Sequence, residues 1–179
     1  MSAAALRRLV NGYQVSQAIH VAAALGIADL LAEGPRTSDE LAEATRTNSD
    51  ALYRLLRALA SVGVLVEHEG RRFDLTDLGK PLRTDAPDSI AAWAAFVGRG
   101  YYRDAWSSLL DAVRTGENAF RLAHGVRVWE YRAQRPEEGQ IFDRAMAATR
   151  LVVRSLLEAY DFGRFRTCLL YTSPSPRDS

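Results

Sequence analysis

The chain has 179 residues, 47% of them hydrophobic and 25% charged, and its 23 Lys and Arg residues against 22 Asp and Glu residues leave a formal net charge of +1. This is the composition of a globular protein, and the balanced charge does not indicate a polyanionic partner. The single cysteine, Cys168, excludes an internal disulfide framework. With no signal-peptide pattern and no membrane-length apolar run, the sequence predicts a cytoplasmic protein without a membrane partner.

The N-terminal segment, residues 3–25, is expected to form one amphipathic helix. Its apolar residues recur at three- and four-residue steps, and Gly26 lies where a glycine commonly ends a helix. Residues 27–31 add one more apolar turn, which Gly34-Pro35 ends. The apolar face of such a helix either packs into its own core or partly covers a second subunit. Core packing and dimerisation both remain open from this pattern.

A helix-turn-helix is predicted next. Thr37 and Glu40 have the spacing of a capping box, which starts a helix over residues 37–44. A second helix over residues 49–62 presents a continuous leucine-rich face, and we expect Ser49-Asp50 to cap it. The two helices together have the arrangement that many DNA-binding proteins use.

A two-stranded hairpin over residues 64–75 follows, and a helical turn over residues 76–82 closes the winged helix-turn-helix. Charge tests whether this module binds DNA. Between residues 36 and 83 there are eight basic and eight acidic residues, and the hairpin tip carries Glu67 and Glu69. Because neutralisation of phosphates supplies most of the affinity for DNA, the module lacks the expected basic surface. A DNA-binding regulator is therefore kept only as an alternative.

Two helices rich in large aromatic residues are expected over residues 88–98 and 102–113. Aromatic clusters pack in a core more often than they line a pocket, although aromatic walls also suit a flat organic ligand. Residues 116–125 are expected to form a loop, and residues 126–134 a short helix. A long helix then begins at Pro136 and runs to about residue 160.

Few side chains of this chain suggest a catalytic or metal-binding role. Phe142 and Met146 lie four residues apart on the apolar face of the long helix, so we expect them to touch. His20, His68 and His124 have no second ligand at metal spacing. Each histidine is expected to be structural, and no metal site is predicted.

A set of six motifs runs through the chain in order. They are Tyr13-Gln14-Val15-Ser16-Gln17, Leu25-Gly26-Ile27-Ala28-Asp29-Leu30-Leu31, Leu52-Tyr53-Arg54-Leu55-Leu56-Arg57-Ala58-Leu59, the turn from Phe73-Asp74-Leu75-Thr76 to Gly79, Trp106 ahead of Thr115-Gly116, and Tyr160-Asp161-Phe162. Together they resemble the N-terminal half of dimeric S-adenosylmethionine-dependent O-methyltransferases of small molecules, a class that includes caffeate, hydroxyindole, polyketide and carotenoid methylating enzymes. The resemblance spans about Leu6 to Arg166.

The resemblance implies a mainly α fold, in which a winged helix-turn-helix with a short β-hairpin wing is flanked by dimerisation and connecting helices. It assigns residues 1–35 to dimerisation helices, 36–84 to the winged-helix module, 85–166 to a helical substrate roof and connector, and 167–179 to a non-native or disordered tail. It also implies a homodimer and no nucleic-acid partner.

The resemblance implies S-adenosylmethionine as the cofactor of the full-length enzyme and a small hydroxylated aromatic or polyene metabolite as the methyl acceptor. Phe96, Val97, Phe142 and Met146 match acceptor-pocket positions as apolar walls, and Thr149 faces the cofactor side. The family's catalytic base is a histidine of the cofactor domain, which no histidine here matches. We therefore expect no catalytic residue in this chain, no cofactor bound by it, and no activity from it alone.

The C-terminal segment departs from the resemblance. After Tyr160-Asp161-Phe162 the family has a strand and a glycine-rich loop, which the Pro- and Ser-rich residues 168–179 cannot form. This segment resembles the translated read-through of a sequencing adapter, which would mean an artificially truncated gene. The alternatives are a natural disordered tail and a stand-alone ligand-binding or interaction protein that has lost the catalytic domain.

Overall fold

The computed structural model describes residues 2–148 and 156–165. The chain divides into two compact units, with the boundary between Ala148 and Thr149. All the elements labelled below belong to the first unit. In the second unit, residues 156–159 are helical and Phe162–Arg164 forms a 3₁₀ turn.

The first half of the first unit contains five helices and a small sheet. In chain order these are α1 Ala3–Val10, α2 Gly12–Ala24, α3 Ile27–Leu30, β1 Arg36–Thr37, α4 Ser38–Thr45, α5 Ser49–Ser61, β2 Leu65–His68 and β3 Arg72–Leu75. A 3₁₀ turn at Lys80–Leu82 closes this half. The fold class predicted from the sequence is confirmed.

The N-terminal helix is broken, so the prediction of one helix over residues 3–25 was wrong. The chain leaves helical geometry at Asn11, where φ is −87° and ψ is 0°, and α2 begins at Gly12. Asn and Gly are both weak helix formers, and their adjacency allows the break. The expected helix end was right: Gly26 has a φ of 66°, a left-handed conformation that glycine adopts without strain.

The caps of the helix-turn-helix follow local chemistry. Thr37 Oγ1 accepts a hydrogen bond from the Glu40 amide (3.2 Å), and Glu40 Oε2 accepts one from the Thr37 amide (2.7 Å), which confirms the capping box. The predicted cap of α5 was wrong by one residue. Asn48, not Ser49-Asp50, caps α5, because its extended backbone lets Oδ1 accept from the Ala51 amide (2.9 Å).

The wing is part of a three-stranded antiparallel sheet with the order β1-β3-β2. Its hairpin pairs Leu65 with Leu75 and Glu67 with Phe73, and the short strand β1 adds Arg36 opposite Phe73 on the other edge of β3. Helices α2 to α5 and this sheet enclose an aliphatic core. Its fully buried members include Ile27, Leu31, Leu41, Leu56, Leu59 and Phe73.

The second half is helical throughout its regular structure. Its elements are α6 Ala91–Val97, α7 Gly100–Ser107, α8 Leu109–Thr115, α9 Ala119–His124, α10 Val128–Ala133 and α11 Pro136–Ala147. They enclose a second, aromatic core with Phe96, Tyr101, Phe120 and Ala145 buried at its centre.

Two predictions for this half were wrong. The helix expected over residues 102–113 is two helices, α7 and α8, that meet at Ser108. The loop expected over residues 116–125 contains α9. Asn118 Oδ1 accepts from the Arg121 amide (3.1 Å) and starts that helix, and Phe120 packs into the aromatic core.

The last helix begins at Pro136, as predicted, and α11 is described to Ala147. Residues 149–155, within the expected continuation to residue 160, lie outside the described residues. Among the residues that the structure describes, no helix is long and apolar enough to cross a membrane.

A close helix contact joins the two cores. His20 on α2 donates from Nδ1 to the carbonyl oxygen of Ala94 on α6 (3.1 Å). The His20 ring lies directly against Gly98, where an added Cβ would come within 1.9 Å of His20 Cγ. Only glycine leaves room for this approach, so the sequence at Gly98 sets how closely α2 and α6 pack.

Candidate functional site

The aromatic core brings together two of the residues predicted to line an acceptor pocket. The rings of Phe96 on α6 and Phe142 on α11 are 5.5 Å apart between centroids. Phe96 is also 4.7 Å from the Tyr102 ring and 5.6 Å from the Trp93 ring, and only 2% of its surface is exposed. Phe96 is therefore a core residue against which the other rings pack, whereas Phe142 is half-buried.

A cleft of about 670 Å³ opens between α2, α6 and α7. It contains the third predicted residue, Val97, and its walls carry two exposed tryptophans, Trp93 and Trp106. The full lining consists of Tyr13, Ser16, Gln17, Trp93, Val97, Tyr102, Arg103, Trp106 and Ser107. Trp93 and Tyr102 contact Phe96, so a continuous series of rings connects the cleft to Phe142.

The remaining predicted residues lie on or beyond the end of α11. Met146 is one turn after Phe142 and 37% of it is exposed. Its expected contact with Phe142 stays a prediction. Thr149, predicted to face the cofactor, lies outside the described residues.

An ion pair holds α11 against the junction of α6 and α7. Arg99 donates from Nε to Glu138 Oε2 (2.9 Å) and also from Nη2 to Glu138 Oε1, and Glu138 is largely buried. The hydrogen bond to Glu138 raises the pKa of Arg99 above its ordinary value. A charge-assisted, two-pronged contact of this kind fixes orientation as well as distance, and here it positions Phe142 relative to Phe96.

Sequence reasoning missed Arg132, the most unusual side chain of the aromatic core. Arg132 lies on α10 with 8% of its surface exposed, and its guanidinium carbon is 3.5 Å from the Phe142 ring centroid. Its Nε donates to the Tyr101 hydroxyl (3.3 Å). Burial raises the pKa of Tyr101, and the hydrogen bond from Arg132 opposes this rise. With 22 arginines in the chain, no local sequence signal separates Arg132 from its exposed neighbours.

Two histidines have structural partners. Nε2 of His124 donates to the Tyr101 carbonyl oxygen (2.8 Å), and Nδ1 of His20 donates to the Ala94 carbonyl oxygen. Within residues 2–148 and 156–165, no group of three or more His, Cys, Asp or Glu side chains is placed to hold a metal ion.

Two arginines of the helix-turn-helix surface have acidic partners. Arg57 on α5 lies 3.4 Å from Glu67 on the wing, and Arg71 lies 3.7 Å from Asp50. Tyr53 donates to Glu67 (2.8 Å) between them. These contacts neutralise two of the charges that a DNA reader would present to phosphates, and the structure gives no support to the DNA-binding alternative.

Two family domains match this chain. The O-methyltransferase dimerisation domain matches residues 7–85, and the O-methyltransferase domain matches residues 106–170. The chain belongs to this O-methyltransferase family. The second match ends at residue 170, inside the segment 167–179 that we assigned to a tail, while residues 166–179 lie outside the described residues. The boundaries 1–35, 36–84, 85–166 and 167–179 stay predictions.

Curated relatives of this chain include methyltransferases from Lysobacter and Streptomyces species. The phenazine O-methyltransferase PhzM of Lysobacter antibioticus is 41% identical over 165 residues, which are 92% of this chain and 48% of the relative. The mitomycin biosynthesis 6-O-methyltransferase of Streptomyces lavendulae is 37% identical over 164 residues, 90% of this chain and 47% of the relative. The chain thus spans about half the length of the curated relatives it matches.

Solved structures of the family superpose on this chain. The crystal structure of LaPhzM has a TM-score of 0.83 at 41% identity, with 89% of this chain and 48% of that chain covered. Human N-acetylserotonin methyltransferase, in complex with SAM, has a TM-score of 0.78 at 30% identity, with 90% of this chain and 50% of that chain covered.

Proposed function

We propose that this chain is the dimerisation and acceptor-binding region of an S-adenosylmethionine-dependent O-methyltransferase that methylates a hydroxyl group of a small aromatic or polyene metabolite. The observation that carries the proposal is the continuous series of rings from the Trp93–Trp106 cleft through Phe96 to Phe142 in a chain of this family. We place the protein in the cytoplasm, which its single cysteine supports.

The chemistry of methyl transfer explains why such walls are useful. The acceptor oxygen must be held in line with the methyl group of the sulfonium, and rigid positioning lowers the barrier by removing rotational freedom before the reaction. Aromatic rings hold a flat acceptor by offset stacking and edge contacts. Relatives named for phenazine and for 3-amino-4-hydroxybenzoate, both flat aromatic systems, support an acceptor of this shape.

We assign distinct roles to the predicted site residues. Phe142, Val97 and Met146 are apolar walls that touch the acceptor, and Phe96 holds the Phe142 ring in place. Thr149 faces the cofactor side. The cofactor of the longer protein is S-adenosylmethionine, supported by the SAM and SAH complexes of related structures, and this chain by itself binds none.

A chimaeric enzyme tests the acceptor role. Residues 1–160 of this chain, joined to the C-terminal half of the Lysobacter enzyme, are expected to transfer labelled methyl from S-adenosylmethionine to hydroxylated aromatic compounds. Phe142→Ala should raise KM for the acceptor about tenfold, the loss of roughly 1.4 kcal/mol of contact, and leave KM for the cofactor unchanged. Leu78→Ala, an exposed position away from the rings, is the matched control. A chimaera that binds the cofactor but methylates no hydroxylated aromatic would contradict the proposal.

We also propose that the chain forms a homodimer through its N-terminal helices. The apolar residues Leu6, Leu9, Val10 and Tyr13 are all more than half exposed, a contiguous patch that a stable monomer rarely leaves in water. The dimerisation-domain match begins at residue 7, which supports this location.

Sedimentation analysis tests the dimer. The wild-type chain should sediment as a dimer, and Leu9→Glu, at a position 73% exposed, should weaken association at least tenfold because it puts a charge into the apolar contact. Leu78→Glu is the control, since Leu78 is 66% exposed and lies outside the patch. A monomeric wild-type chain, or equal effects of the two variants, would count against this interface.

A further inference from the structure

Arg132 is a buried cation enclosed by rings. Its guanidinium carbon lies 3.5 Å from the Phe142 centroid, 5.3 Å from Trp129, 5.7 Å from Phe96 and 5.9 Å from Tyr101. Two of these rings, Phe96 and Phe142, belong to the proposed acceptor site. Cation–π contacts stabilise a partly desolvated guanidinium. They do not supply an anionic partner.

The charge of Arg132 has no acidic partner in the part of the chain that the structure describes. No carboxylate lies within ion-pair distance of Arg132 there, whereas Arg99 in the same core pairs with Glu138. Arginine has five N–H donors, and the described structure uses one of them, Nε, to bond the Tyr101 hydroxyl. Buried charges in proteins are usually paired or bind a ligand, because desolvation of a lone charge is costly.

Arg132 is not completely sealed in the core. It keeps 8% of its surface exposed, and its guanidinium lies among the rings of Phe142, Trp129, Phe96 and Tyr101. This is the arrangement of a site that a small anionic group can reach, with rings on several sides of it.

We propose that Arg132 is a specificity-determining residue that binds a carboxylate on the aromatic methyl acceptor, so that the substrate class is the hydroxylated aromatic carboxylic acids. This inference rests on the proposed acceptor role of the Phe96–Phe142 site. The planar guanidinium matches a carboxylate with two parallel hydrogen bonds from its terminal nitrogens. The acceptor ring then continues the aromatic wall of Phe142 and Trp129.

Binding to the full chain tests the inference with two probes of the same shape. 3-Hydroxy-2-naphthoate carries the carboxylate, and 3-hydroxy-2-naphthamide replaces it with an uncharged amide. Isothermal titration calorimetry of the wild-type chain should give at least a tenfold lower Kd for the acid. R132M should raise Kd for the acid to that for the amide and leave Kd for the amide unchanged, a selective effect that loss of packing alone would not produce.

Two further variants complete the experiment. R135M is the matched control, because Arg135 also stacks on a ring, Tyr131 at 3.9 Å, but is exposed, and both affinities should stay unchanged. R132K keeps the charge without the two-pronged geometry, and its preference for the acid should fall between those of the wild type and R132M. If R132M does not fold, R132K decides: a full wild-type preference in R132K overturns the inference.

The outcomes separate the two proposals. Equal affinity of the wild-type chain for acid and amide, or a preference that survives in a folded R132M, overturns the role of Arg132 and leaves the acceptor site standing. Failure of both compounds to bind contradicts the acceptor site itself.

Discussion

The two cores of this chain differ in what they do with charge. In the winged-helix half, an aliphatic core is surrounded by surface arginines that pair with acids, such as Arg57 with Glu67. In the second half, the core is aromatic and contains a buried cation, Arg132, whose described contacts are rings and one hydroxyl. In the first half, the charge of Arg57 is balanced by a neighbouring acid, and this half serves as a scaffold. In the second half, Arg132 has hydrogen-bond donors with no partner among the described residues, and these donors can bind a ligand.

The difference shows which half of the molecule is informative about function, because the fold of the winged-helix half by itself suggests DNA binding. A winged helix-turn-helix indicates DNA binding by its shape, but here Arg57 and Arg71 are already paired with acidic neighbours on the same surface. The helices that follow have no such suggestive shape, yet they carry the ring series, most of the cleft lining, and a guanidinium with no acidic partner among the described residues. Function is better inferred from the unsatisfied groups than from the architecture.

The largest effects are expected when one buried ring is removed from each core. Phe73→Ala in the aliphatic core and Phe96→Ala in the aromatic core should each lower the free energy of unfolding by about 3–5 kcal/mol, because each leaves a cavity. Urea denaturation measures this. Only Phe96→Ala should also weaken binding of 3-hydroxy-2-naphthoate under conditions where the variant is folded. Equal loss of binding in Phe73→Ala would remove the functional distinction between the cores.

A smaller effect is expected at the contact between the cores. Gly98→Ala should lower the free energy of unfolding by about 1–3 kcal/mol, because its Cβ would clash with the His20 ring and push α2 and α6 apart. Gly100→Ala is the control, since a Cβ there meets nothing within 4 Å, and it should be neutral or slightly stabilising. Equal thermal melting points for the two variants would show that the two cores are not held together at Gly98.

The capping box of the winged helix should contribute less. Thr37→Ala should lower the free energy of unfolding by about 1 kcal/mol, because the Glu40 amide loses its acceptor. Thr47→Ala, outside the box, is the comparison. A Thr37→Ala variant as stable as the wild type would mean that the cap contributes nothing to this scaffold.

The same capping box makes the free energy of unfolding depend on pH. The hydrogen bond from the Thr37 amide lowers the pKa of Glu40 below its ordinary value of 4.5. A lowered pKa in the folded state means that the stabilisation is present above pH 4.5 and is lost as the pH falls through the lower, folded-state pKa. The stability difference between wild type and Glu40→Gln, measured by urea denaturation, should therefore shrink in this acidic range. A difference that is constant with pH would contradict the assignment.

The smallest effect is expected on the wing surface. Arg57→Gln should change the free energy of unfolding by less than about 1 kcal/mol, because the pair with Glu67 is largely exposed to solvent. Neither this variant nor the wild type should retard duplex DNA in a gel-shift experiment at physiological salt. Salt-sensitive retardation by the wild type would revive the regulator interpretation and reverse the comparison between the two halves.

Local sequence signals predicted much of the fold and little of the site. The capping box, the start of α11 at Pro136 and the wing hairpin depend on residues close together in the chain, and each is present. Three of the misplaced features share a cause: Asn11, Asn48 and Asn118 each act at a helix end, and a hydrophobic pattern does not show where such polar side chains begin or end a helix. Asn118 followed by Gly125 could have revealed α9.

The sequence by itself determined the helix periodicity, the winged module with its balanced charge, and the set of motifs that identifies the family, because all of these are written in residue types and spacings. Only the tertiary structure decided which rings meet and which cation has no acid beside it in the described part of the chain. Phe96, Arg132 and Phe142 come from three different helices, and their proximity depends on how those helices pack. Burial, which turns an ordinary arginine into a candidate binding group, is a property of that packing.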